Sequence, residues 1–234
     1  MNNWQIAQAL VFEPRRAFAE LGERPRFWFP LLVLALTTTA ISLWYIGVVD
    51  MEWLVDRQLH ANERARQLGE ERIAEMARMA ADRRGLQAVL TGIFTPLAIG
   101  FAMLVSGVLY LLTSKVTNVQ RGFRHWFALA CWSSLPTALA AIASGFELLT
   151  AGSRQIDQGE LQVLSLNALF FHRAPGEPGY TLLTYVSVLH FWAVYLAALA
   201  VKLWSGRSWL FSLLFTSWPM LLVFGIWGLL ATGR

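Results

Sequence analysis

The sequence predicts an all-α integral membrane protein. Its expected form is a bundle of five transmembrane helices with an N-terminal interfacial helix and an outer-face helical loop. Three observations predict this. The 234 residues are 56% hydrophobic and 15% charged, whereas water-soluble domains average about 45–50% apolar and about 25% charged. Five apolar runs, at 27–48, 86–113, 126–149, 180–201 and 209–231, are long enough to cross a hydrocarbon core that takes about 20 helical residues. Trp28, Trp44, Trp126, Trp204, Trp209 and Trp227 stand near the ends of those runs, where amphipathic rings favour the head-group level. Trp132, Trp192 and Trp218 do not, and are expected in helix contacts.

Residues 1–26 form a cytoplasmic amphipathic lead-in to the membrane domain, 27–234. Pro14 opens a helix running to Leu21, because its missing N–H is unpaired in a first turn anyway. Ala17, Phe18 and Leu21 share one face, while Arg15, Arg16 and Glu20 lie mostly away from it. Gly22 is the expected stop, and Pro25 blocks continuation. The expectation is a helix lying in the membrane surface, tethered by the first span. No secretory signal is expected, since no short apolar core with a small-residue cleavage site is present.

The second run exceeds what a bilayer needs, so it should tilt, kink at Pro96 or project past the core. Pro136 and Pro219 lie inside the third and fifth runs. Lipid tolerates them where neighbouring helices or hydroxyls satisfy the freed carbonyls, and Ser133, Ser134, Thr216 and Ser217 are near enough in sequence to help. The third run carries a small-residue face, Ser133, Thr137, Ala141 and Gly145, with Ala130, Ser134 and Ala138 beside it. Such a face lets helix backbones approach closely. It is expected to pack within the bundle, and it also offers a route to a homo-oligomer.

Residues 50–85 are the only sizeable polar block, rich in helix formers and free of proline. Glu63 with Arg66 and Glu75 with Arg78 are at helix-pair spacing. Ile73, Met76 and Ala80 line a narrow stripe that Gly69 interrupts. A solvated helix or helical hairpin on the outer face is expected, and its functional reading is a docking surface for a partner. In 151–179, "LQVLSLNALFF" is too short to span. It is expected to form a helix on the outer face, or to dip partway in, before "RAPGEPG" turns the chain back.

Orientation follows from basic residues in short loops. The N-terminal segment holds Arg15, Arg16, Arg24 and Arg26, the loop 114–125 holds Lys115, Arg121 and Arg124, and the loop 202–208 holds Lys202 and Arg207. The raw basic counts of the two sides nearly tie, but 114–125 and 202–208 contain no acid. The N-terminus is therefore expected in the cytoplasm and the C-terminus outside, in the cell's inner (cytoplasmic) membrane.

The residues point to no reaction chemistry. The single cysteine, Cys131, excludes an internal disulfide and a Cys-based zinc site. The basic residues form no nucleic-acid stripe, so no nucleic-acid partner is expected. None of the five runs holds an Asp, and there is no HExxH pair, GxSxG elbow or Walker-type loop. No catalytic residue, metal ligand or cofactor is expected. Within the membrane the candidate polar site is His190 with Glu147. His190 falls at the midpoint of the fourth run, where it is suited to relaying protons or binding a polar substrate. Its ordinary alternative is a neutral imidazole bonded to a Ser, Thr or Tyr of a neighbouring helix. Glu147 lies near the outer end of its run, about 10 Å from His190 along the membrane normal by helical rise, so no direct pair is expected. His125 reads as an interface residue, and His60 and His172 sit in polar loops without metal spacing.

Four stretches in order carry a family resemblance: "EPRRAFAEL", "QRGFRHWFALACWSSLP", "LHFWAVYLAALAVKLWSGRS" and "LFSLLFTSWPMLLVFG". Their proline-then-phenylalanine lead-in, basic loop, short basic exit loop and proline-bearing last span resemble the Yip family, named for Ypt-interacting proteins, and specifically its bacterial branch. The resemblance covers nearly the whole chain. It implies five spans, a cytoplasmic N-terminus and an integral membrane protein without a defined chemistry. Eukaryotic members act in vesicle traffic and contact prenylated Rab-type GTPases. The long cytoplasmic N-terminal region of those members has no counterpart here, so GTPase binding is not carried over.

Two functions compete. One is a non-enzymatic adaptor or scaffold in the lipid bilayer, binding other integral membrane proteins of trafficking, envelope or transport machinery. The other is a transporter or channel for a small solute, ion or lipid with His190 in its pathway. The runs show no matched pair of broken helices that suggests an inverted repeat. A wet cavity around His190 favours the second function, and a dry, packed bundle favours the first.

Overall fold

The computed structural model describes residues 1–61, 65 and 67–232. Apart from an isolated bridge between Ser165 and Ser187, regular structure among them is helical. In chain order the helices are α1 (Asn3–Phe12), α2 (Pro14–Glu23), α3 (Trp28–Val48), α4 (Met51–Ala61), α5 (Glu70–Asp82) and α6 (Arg84–Val116). There follow α7 (Phe123–Ser134), α8 (Ala138–Thr150), α9 (Tyr180–Tyr185), α10 (Val188–Ser205) and α11 (Trp209–Thr232). Among the described residues, five helical stretches are long and apolar enough to span a membrane: α3, α6, α7 continued through α8, α10 and α11. Glu63, Arg66 and Arg234 lie outside the described residues.

Two helix boundaries differ from expectation. Residues 3–12 form a helix of their own, α1. Asn2 accepts the Gln5 N–H at 2.8 Å, while the Gln5 side chain accepts the Asn2 N–H at 2.9 Å. This reciprocal cap satisfies donors that a helix start otherwise leaves open. The fourth span begins at Val188 rather than 180. Val186 and Ser187 leave the helix and bond instead to the chain from 164 to 166: Leu166 N–H donates to the Val186 carbonyl at 2.8 Å, and the Ser187 side-chain hydroxyl donates to the Leu164 carbonyl at 2.9 Å. Residues 180–185 are thus the separate short helix α9.

The third span is interrupted at Pro136. Leu135 N–H turns back to the Trp132 carbonyl, which proline cannot serve, and residues Leu135–Thr137 tighten into a 3₁₀ turn. Thr137 Oγ1 also donates to the Ser134 carbonyl at 2.7 Å. Pro96 and Pro219 leave α6 and α11 continuous.

The chain divides into two compact units, Met1–Ala35 with Ala98–Ala138 and Val188–Arg234, and Leu36–Leu97 with Leu139–Ser187. In the first, Trp126, Trp132, Phe18, Leu21, Leu196 and Leu199 are fully buried or nearly so, among small residues that include Ala128, Ala130 and Ala200. The Ala17, Phe18 and Leu21 face of α2 is closed against this protein core rather than left to lipid. Both environments are apolar, so the pattern of one helix cannot choose between them. The Trp204 indole donates to the Phe18 carbonyl at 2.9 Å. A Cβ at Gly22 would stand 2.7 Å from that indole nitrogen, so the approach requires glycine. Trp132 meets expectation as a packing residue, stacked on Phe29 at 5.8 Å and donating to the Arg26 carbonyl at 2.6 Å. Trp126, expected near the head-group level, is fully buried within the protein in the first turn of α7, and its indole donates to the Arg121 carbonyl at 3.1 Å.

In the second unit α4 and α5 form the expected helical hairpin. Gly69, at φ 82°, starts α5 in a conformation that favours glycine. Ile73 and Ala77 are buried, with Met76 and Ala80 partly so. Glu75 pairs with Arg72 at 3.2 Å rather than with Arg78, which reaches across to Glu52 of α4 at 3.6 Å. Met51 and Leu54 of α4 form a cluster with Tyr45, Ile46, Val49 and Leu148. The small-residue face of the third span is used here: a Cβ at Gly145 would already meet Ile41 Cδ1 at 2.8 Å. The helix expected near 161–171 is a single π turn, Asn167–Phe171. Asn167 clasps Arg173 through two backbone bonds of 2.9 and 3.1 Å, which closes the chain before the return.

Candidate functional site

His190 is the third residue of α10, not the middle of its span, because the helix begins at Val188. In the first unit it lines a hollow of about 490 Å³ walled by α6, α7, α10 and α11. Its ring stands edge-on to Phe224 at 5.8 Å. Most of the lining is apolar. Three of the lining hydroxyls are turned back onto carbonyls of their own helices: Ser106 to Ala102 at 2.9 Å, Thr216 to Ser212 at 2.9 Å, and Ser133 to Ala130 at 3.4 Å. Tyr110 is stacked on Phe215 at 6.1 Å. Glu147 belongs to the second unit and is exposed on α8, so the two sequence candidates fall in different units. Among the described residues, no three His, Cys, Asp or Glu side chains gather as a metal-holding group.

The second unit presents two further features. The first is the hairpin, whose outward residues Glu70, Glu71, Arg72, Glu75, Arg78 and Asp82 are exposed and of mixed sign. His60 ties its two helices: Nδ1 lies 2.9 Å from the Asp56 carbonyl and Nε2 lies 3.0 Å from the Glu70 carboxylate. Both contacts favour the charged ring and hold its pKa above the usual histidine range, the carbonyl contact foremost.

The second feature is a cleft of about 560 Å³ that none of the motifs above singles out. Thr38 and Ser42 of α3 line it together with Gln87, Thr91 and Thr95 of α6. Its sequence signal is the four-residue spacing of these polar side chains within two predominantly apolar spans, which places each set on one helix face. Tyr45 and Ser144 frame the cleft by donating to the Ile156 and Leu161 carbonyls at 2.9 and 2.8 Å.

Five spanning helices with a polar hairpin between the first two define a multi-pass helical membrane protein. The family model described as the Yip1 domain matches residues 8–230, and the chain belongs to that family. Its members are generally non-enzymatic trafficking proteins. No curated protein and no solved structure matches the chain.

Proposed function

We propose that the chain is a non-enzymatic membrane adaptor that binds another integral membrane protein, of trafficking, envelope or transport machinery. One observation carries this reading. The hairpin α4–α5 buries its apolar stripe within its own unit and leaves a mixed-charge helical surface outside the spans. Such a surface suits a specific protein contact better than nonspecific attraction to anionic lipid. Replacing residues 62–82 with a flexible linker should spare insertion, because each span satisfies its own backbone. It should also release partners that co-purify from native membranes in mild detergent. Partners retained on an intact bundle would overturn the assignment of the hairpin. Transport through the His190 hollow is the second reading, favoured by a titratable ring in an open space. Against it stand the mostly apolar walls and the three lining hydroxyls already bonded to their own helices.

The proposal includes a bacterial inner-membrane location with a cytoplasmic N-terminus. Its supports are the likeness to the family's bacterial branch and the acid-free loops at 114–125 and 202–208. Glu71, Gln120 and Gln155 are exposed loop or hairpin positions for single cysteines in a Cys131→Ala background. An impermeant thiol reagent on spheroplasts should label 71 and 155 and leave 120 silent. The reverse pattern would invert the topology.

A further inference from the structure

We propose that the cleft of the second unit is a binding site for an uncharged polyhydroxyl group, a sugar or glycerol head. The first ground is a contrast among hydroxyls. Elsewhere in the spans Ser106, Thr113, Thr137, Thr150 and Thr216 each donate to a carbonyl three or four residues back. The side-chain hydroxyls of Thr38, Ser42, Thr91 and Thr95 and the side-chain amide of Gln87 make no hydrogen bond with any described residue, although all five line one cleft. None of these five groups is sealed against the protein; all open onto the cleft, where filling the space with apolar atoms would strand them at about 1–3 kcal/mol each. Two facing stripes of such groups therefore call for a polar occupant.

The chemistry of the walls selects the occupant. Among the described lining residues there is no Asp, Glu, Lys, Arg or His. The nearby Arg57 is engaged by Glu160 at 3.6 Å and Asp157 at 4.0 Å. Nothing in the walls compensates a phosphate or an ammonium, and burying a charge without compensation is expensive. Hydroxyls and amides both donate and accept, which matches the alternating donors and acceptors of a polyol. The volume falls within the range of small-ligand sites, about 300–1,000 Å³. On α6, Leu86, Leu90, Ile93, Phe94 and Leu97 are exposed apolar residues. They give a head group carried on acyl chains a lipid-side approach, while the same head free in solution would use the same polar walls.

The test uses the full chain in phosphatidylcholine nanodiscs, read by native mass spectrometry. The probes are monoglucosyl diacylglycerol, phosphatidylglycerol and free glucose. The glucosyl lipid should be retained at least tenfold over phosphatidylglycerol. The nearly isosteric double variant Thr91→Val/Thr95→Val should lose that retention tenfold or more with no fall in melting temperature. Displacement of the lipid by equimolar glucose would support the site and assign it a soluble sugar. Should the double variant fail to fold, Gln87→Leu at the exposed rim provides the same reading. Equal retention of phosphatidylglycerol, undiminished binding by a folded variant, or no binding of either sugar probe, leaving a merely hydrated cleft, would each overturn the proposal.

Discussion

The first unit ties its buried indoles to backbone carbonyls, while the second leaves five polar side chains open around one cleft. In the first, the indoles of Trp126 and Trp132 donate to the carbonyls of Arg121 and Arg26 in turns, and that of Trp204 donates to the Phe18 carbonyl within α2. The first two satisfy carbonyls that lie outside any helix, and the apolar body of each ring packs in the protein. In the second, Tyr45 and Ser144 play that part at two points, but five polar side chains around the cleft do not. The difference teaches that two regions of one chain can be built for different ends. One is organised around buried aromatic packing, and the other leaves a polar-walled cleft.

The largest test of this comparison is Trp132→Ala. It removes a fully buried ring, its stack on Phe29 and the donor to the Arg26 carbonyl. The expected cost is about 3–5 kcal/mol, measured by equilibrium unfolding in detergent. Trp28→Ala is the control, because that ring is 66% exposed. If the two cost the same, the first unit is not organised by its buried indoles.

A sharper test makes one substitution at two places on α6. Thr113 Oγ1 accepts the Trp218 indole N–H at 3.0 Å. Thr113→Val strands that donor and should cost about 1–3 kcal/mol. Thr91→Val removes a hydroxyl that bonds to no described residue, and should leave the unfolding midpoint unchanged. Equal losses at the two positions would erase the distinction between the units.

The smallest effect is a pH dependence confined to the hairpin. The folded-state pKa of His60 is raised, so its contribution is full below the unfolded value of about 6.5 and is lost as pH rises through the folded value. Limited proteolysis between α4 and α5 should therefore be slower near pH 6 than near pH 8. His60→Gln should abolish the difference. A difference that persists in the variant would assign it to another group.

The five spans, the lead-in helix from Pro14 and the hairpin were legible because each rests on local chemistry: apolar length, a proline suited to a first turn and a run of helix formers. The interruption at Pro136 was not, because a proline reads as tolerated within a span and the 3₁₀ turn appears only in the structure. The candidate site was less legible. His190 was placed mid-span because "YTLLTYVSVLHFW" is apolar enough to run on as one helix. The break at 186–187 is bonded instead to residues 164–166, about twenty positions earlier in the chain. The cleft was legible in part, as the spacing of Gln87, Thr91 and Thr95, yet the same spacing also describes hydroxyls that bond to their own helix, as Thr113 and Thr117 do.

By itself the sequence determined that this chain enters a membrane and how many times it can cross, because hydrocarbon leaves the backbone no other partner than its own helix. Only the tertiary structure decided what the amphipathic α2 faces, which indoles are buried, where the fourth span begins and which hydroxyls remain open. The reason is physical: lipid and a protein core reject polar groups alike, so an apolar face reads the same in sequence whichever of them covers it. The choice is made by distant carbonyls and by close approaches such as Trp204 over Gly22, which no local pattern records.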